Sequence, residues 1–133
     1  MVRPVDARAE NGSTPLHRVS RRGSLEVAHL LLEHDADVET KNRSGKTPLH
    51  CASRCESLEV ARILLEHDTD VEVKDELGET PLHCTSYWGS LEIARLVLEH
   101  GANVDAKNRL GLTPLQVGRH EKVMKLLLEH GAK

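Results

Sequence analysis

At 133 residues and a formal charge of −3, the chain holds about one ordinary domain and is too mildly charged to indicate a nucleic-acid partner. It has no Phe, one Trp and one Tyr, which argues against a single aromatic-centred core; its Leu, Val, Ala and Ile suit thin stacked layers. No apolar run approaches membrane-spanning length, and three cysteines without a framework spacing point to a reducing compartment, cytoplasmic or nuclear.

The chain is periodic. Thr14-Pro15-Leu16-His17 returns at residues 47–50 and 80–83, then as Thr113-Pro114-Leu115-Gln116, each copy 33 residues after the last. A fixed period of this size defines a repeat array. Residues 1–8 contain Val5-Asp6-Ala7-Arg8, which matches Val104-Asp105-Ala106-Lys107 and therefore reads as the tail of a preceding repeat.

Asn11-Gly12 opens the first unit as a turn, and Gly recurs two residues before each Thr, at Gly45, Gly78 and Gly111. This predicts the tip of a β-hairpin-like finger. Thr14 is suited to an N-cap and Pro15 to the first helical position, so the spacing predicts a helix over 14–22. Gly23 ends it. Ser24 is placed to cap a second helix over 25–34, whose polar residues Glu26, His29 and Glu33 form one narrow stripe. A helix apolar over most of its circumference needs neighbours on several sides, which stacking supplies.

The second and third units copy the first. The fourth is three residues short, since Thr80 to Gly101 spans 21 steps and Thr113 to Gly131 only 18. The loss falls near Gly118-Arg119-His120, so the first helix and its turn are trimmed there.

The Gly-x-Thr-Pro-Leu-His motif, the Leu-Glu-Val/Ile-Ala helix ending in Leu-Glu-His, and the tail Gly101-Ala102-Asn103-Val104-Asp105-Ala106 resemble the ankyrin repeat. The resemblance implies an all-α solenoid of stacked helix-turn-helix units with short β-hairpin-like fingers. It covers one domain over 1–133, in repeats about 9–41, 42–74, 75–107 and 108–133. Asp35 and Asp68 stand where the pattern has Gly, Glu56 replaces the Gly seen at Gly23 and Gly89, and Val19 and Thr85 replace a small Ala. A non-Gly residue at positive φ is strained, so Glu56 predicts a weaker or altered turn in the second repeat.

Seven of the nine histidines fall in two repeat-locked ladders: His17, His50, His83, and His34, His67, His100, His130. Adjacent repeats lie roughly 8–10 Å apart by helix packing, too far for equivalent side chains to share a metal held at about 2 Å. The same spacing separates Cys51 from Cys84 beyond disulfide reach. The first ladder is expected to bond turn backbone, and the second to sit at helix C-termini. No nucleophile elbow, phosphate loop or His-Glu-x-x-His is present, so we expect no enzyme, metal or cofactor. A hydrolase or a metal-binding protein is the remote alternative.

The expected function is a non-catalytic protein-protein interaction module. Positions that recur maintain the stack, whereas positions that differ between repeats are free to recognise a partner. Those positions fall at the finger tips (Arg43, Lys46, Glu76, Leu77, Glu79, Arg109, Leu110) and at the end of the first helix (Arg21, Arg22, Arg54, Tyr87, Trp88). Fingers and first helices line the concave face in proteins this chain resembles. Tyr87 and Trp88 occupy the places of Arg21-Arg22 and Arg54-Cys55, where layers elsewhere need no large ring. As successive helical residues they point about 100° apart, which disfavours burying both. The first and last repeats keep the internal apolar pattern, so weak end-to-end self-association is also expected. The ends suggest a fragment of a larger array; a self-contained adaptor or inhibitor is the alternative.

Overall fold

The computed structural model describes residues 3–133. Among them are eight α-helices and no strand, arranged as four antiparallel pairs. The first helices of the pairs are α1 (Pro15–Arg22), α3 (Pro48–Cys55), α5 (Pro81–Trp88) and α7 (Pro114–Val117). Their partners are α2 (Leu25–Glu33), α4 (Leu58–Glu66), α6 (Leu91–Glu99) and α8 (Glu121–Glu129). Each first helix packs on its counterparts in the adjacent layers, and so does each second helix.

The start of each first helix follows from its sequence. Thr47, Thr80 and Thr113 sit at extended N-caps, where Oγ1 accepts the backbone N–H of His50, His83 and Gln116. The imidazole reaches back, with Nδ1 of His50 accepting the Thr47 N–H at 3.1 Å. Its Nε2 donates to the Glu79 carbonyl one repeat onward at 2.8 Å, and His17 and His83 do the same to Lys46 and Leu112. Each ring thus closes its own helix start and clamps the next finger.

The serines before the second helices behave differently from the expected caps. Ser24, Ser57 and Ser90 hold the N-cap positions, but their side chains accept no bond from the helix. Their ψ angles of 95, 73 and 76° differ from the 166–169° of the Thr caps, which carries the hydroxyl away from the helical N–H groups. Ser90 instead donates to the Ser53 carbonyl of the preceding layer.

The core is a column of small and branched aliphatics. Leu16, Leu49 and Leu82 are fully buried on the first helices, while Ala61, Leu64, Ala94 and Val97 are fully buried on the second. Thr85 fits where Ala52 stands in the preceding layer because its hydroxyl donates to the Leu82 carbonyl, leaving only the methyl to pack. In α2 the pattern is only half used. Val27 and Leu30 are 42% and 52% exposed, whereas the equivalent Val60 and Ile63, covered by another layer, are 1% and 5% exposed.

The fingers are tight turns, not strands. Each closes on itself (Asn42 N–H to the Lys46 carbonyl, Asp75 N–H to Glu79) and bonds the next finger through Arg43 to Asn11, Glu76 to Ser44 and Arg109 to Leu77. Glycine is required at their tips. At Gly45, φ is +74° and an added Cβ would meet the Glu76 backbone nitrogen at 2.8 Å.

The turn at Glu56, expected to be weaker or altered, keeps its geometry. It keeps φ 57°, ψ 32°, close to Gly23 at 72°, 22°. The stack on either side over-determines this path, so the strain is retained instead of relieved. Replacing Glu56→Gly is expected to stabilise the chain by about 1 kcal/mol, the usual cost of left-handed backbone for an L-residue. Urea unfolding with an unmoved or lowered midpoint would contradict that.

In the fourth pair the missing residues shorten α7 to one turn. Gly118 takes an extended conformation (φ −63°, ψ 140°), and the Arg119 N–H then bonds the Ser86 carbonyl of the third layer.

A candidate protein-binding groove

A groove of about 660 Å³ runs between the last three fingers and the ends of the first helices. Eight of the residues expected to bind a partner line it: Arg21, Lys46, Arg54, Leu77, Glu79, Tyr87, Trp88 and Leu110. Arg22, Arg43, Glu76 and Arg109 do not line it. Arg22 is one helical step, about 100°, beyond Arg21. The stems of Arg43 and Arg109 lie against Gly12 and Gly78 of the preceding fingers. The Glu76 backbone is spent on its bond to Ser44.

The groove's centre is aromatic. Tyr87 and Trp88 are 41% and 44% exposed and meet edge-to-face, with ring centroids 5.0 Å apart at 77°. The Arg54 guanidinium lies 4.5 Å over the Trp88 ring. Arg119, from the trimmed fourth layer, lies 5.0 Å over Tyr87. Sequence reasoning passed over Arg119, because only the extended path at Gly118 brings it to the third layer.

The floor includes His50, which recurs from repeat to repeat, and Cys51 and Cys84, identical in the two middle repeats, so none of them stood out as a recognition residue. All three cysteines are free; Cys51 and Cys84 are buried, while Cys55, at the end of α3, is exposed. Burial pushes the Cys84 thiol up to about 12 and raises that of Cys51, which disfavours the nucleophilic thiolate at both. Burial lowers His50 to about 4, and both of its ring nitrogens are already committed to backbone. It is therefore a neutral clamp, without a free nitrogen to act as a base.

One wall carries a buried ion pair. Lys46 Nζ lies 2.6 Å from the Asp75 carboxylate, whose side chain is almost wholly covered. Burial pushes the Asp75 carboxyl up, but the Lys46 ammonium and the Glu79 backbone N–H outweigh it and hold it below its ordinary range. Its Oδ1 also accepts the Leu77 and Glu79 N–H groups, as Asn42 and Asn108 do in their own fingers. The pair therefore fixes the finger that presents Leu77 and Glu79. Among the described residues no group of three or more His, Cys, Asp or Glu is gathered as a metal site. No helix among them is long and apolar enough to cross a membrane.

Four helix pairs, each opened by a Thr-capped first helix and joined by fingers, define a repeat solenoid. A family model described as ankyrin repeats (3 copies) matches residues 2–75 and again 68–133, so the chain belongs to the ankyrin-repeat family. Members of this family are generally protein-protein interaction modules and typically non-catalytic. No curated protein matched the chain.

Proposed function

We propose that the chain is a non-catalytic binding module that holds a segment of a partner protein in the groove at Tyr87 and Trp88. One observation carries this reading. Of the seven large apolar side chains left exposed among the described residues, four (Leu77, Tyr87, Trp88 and Leu110) lie on this groove, and the other three lie on α2 and α8 at the ends of the stack. An apolar centre rimmed by Arg21, Arg54 and Glu79 has the anatomy of an interface, and Tyr, Trp and Arg are the residues enriched at binding hot spots. The disfavoured thiolates at Cys51 and Cys84 and the engaged histidines support binding over chemistry. An adaptor, an inhibitor and one segment of a longer array would all use the groove in this way.

The test is selection from a random peptide library displayed on phage, run against the native chain and a Tyr87→Ala/Trp88→Ala variant. Helical circular dichroism is expected to persist in the variant, because both rings are half exposed. Peptides recovered on the native chain are expected to bind the variant more than about 30-fold more weakly, as hot-spot losses of about 2 kcal/mol or more imply. Equal binding to both proteins would sink the assignment of the site.

A further inference from the structure

We propose that the groove selects an acidic segment of its partner: one apolar side chain seated against Trp88, Leu77 and Leu110, with neighbouring carboxylates paired to Arg54 and Arg119. This rests on the protein-binding reading above and names the chemistry of the partner.

Positive charge gathers uncompensated at the aromatic pair. The chain as a whole is acidic, with a formal charge of −3, yet arginines gather at its aromatic pair. Among the described residues the ion pairs are Arg3–Asp6, Lys46–Asp75, Arg62–Glu59 and Arg95–Glu92, and none engages Arg21, Arg54 or Arg119. Arg21 donates only to the Ser13 hydroxyl, a neutral partner. Lys46 is neutralised by Asp75, so Glu79 is the groove-lining carboxylate left beside Arg21 and Arg54, and Arg119 adds a further guanidinium over the Tyr87 ring.

Geometry strengthens the case. A guanidinium lying over a ring commits its face to the π-system and leaves its in-plane N–H donors available. A guanidinium already held against a ring loses less side-chain freedom when a carboxylate binds it in bidentate fashion. Arg54 and Arg119 each sit over one of the two rings that form the apolar centre, at 4.5 and 5.0 Å from the ring centroids.

Single-stranded nucleic acid also combines anionic groups with stacking on aromatics. It fits less well. The two most exposed side chains of the groove's apolar set are Leu77 and Leu110, at 64% and 83%, and aliphatic side chains offer no stacking platform. A peptide with one apolar anchor uses both.

The peptides selected on the native chain supply the probe. They are expected to pair an apolar residue with adjacent Asp or Glu. Measured by fluorescence anisotropy, the best of them is expected to bind about tenfold more weakly when its acids become amides, or on Arg54→Gln or Arg119→Gln, as loss of a charge-assisted bond implies. Arg54→Glu is expected to reject the acidic peptide and prefer its lysine-substituted form. Peptides that require Tyr87 and Trp88 but carry no acid, or that tolerate every arginine change, would overturn the acidic selectivity while leaving the groove intact. Tighter binding of a labelled thymidine oligonucleotide through the same residues would overturn it in favour of nucleic acid. Failure to recover any peptide dependent on Tyr87 and Trp88 would sink both readings together.

Discussion

Acidification is expected to cost the folded chain about 3 kcal/mol through His50 alone, because its pKa falls from 6.5 to about 4 on burial and each unit is worth about 1.4 kcal/mol. The sign follows from proton counting. Between those two values the unfolded chain carries the proton on His50 and the folded chain does not. Stability is therefore complete above pH 6.5, declines as the pH falls through this window, and levels off below about 4. Burial also lowers His17 and His83, so the same limb deepens with each layer. The structural cause is specific: a proton on Nδ1 would face the Thr47 N–H donor 3.1 Å away inside the core.

The fourth layer supplies the control. Gln116 stands at the position of His50, and its Oε1 accepts the Thr113 N–H at 2.9 Å without titrating. His50→Gln is expected to flatten the acid limb relative to the native chain while leaving stability near pH 7 within about 1 kcal/mol. Urea unfolding across this pH range measures both proteins. Superimposable profiles would show that His50 does not carry the effect. The Asp75–Lys46 pair contributes in a lower window, as Asp75 is protonated below its depressed pKa; Lys46 and the Glu79 backbone, which hold it down most, remain in both proteins, while the smaller influence of His50 is lost in the variant.

Much of this was written in one tetrapeptide. Thr caps, Pro begins the helix, Leu fills the column and His ties the layer to the next finger, so four residues at a fixed period define both element and stacking. The groove was legible only where repeats disagree. Tyr87 and Trp88 stand out because Arg21-Arg22 and Arg54-Cys55 precede them at the same places. His50 was invisible to that comparison, since it recurs to bond backbone and also floors the site; Cys51 and Cys84 share one residue type between the two middle repeats and so did not stand out. Arg119 was hidden by the shortened fourth unit: its approach to Tyr87 depends on backbone geometry at Gly118, which no spacing rule supplies. Ser24 misled because a residue type suited to capping sat in a turn whose ψ angle denies it the bond.

The contrast between two leucines of the third repeat tests how far position outweighs residue type. Leu82 and Leu77 are five residues apart, yet one is 0% exposed and the other 64%. Leu82 fills the column between Leu49 and the fourth layer, where α5 packs on both α3 and α7. Leu82→Ala is expected to cost about 3 kcal/mol, the transfer energy of the lost carbons plus the cavity they leave. That is a large share of the 5–15 kcal/mol that holds a typical domain together. Because each layer touches only its neighbours, the loss should also weaken the coupling of α7 and α8 to the stack. Unfolding of Leu82→Ala is therefore expected to broaden as well as shift, with the fourth layer releasing before the first two. Leu77→Ala, on the exposed finger, is expected to move stability by no more than about 0.5 kcal/mol and to weaken binding of the selected peptides. Urea titration followed by far-ultraviolet circular dichroism separates the two, and equal midpoints for both variants would contradict the stacking arrangement from which the groove is derived.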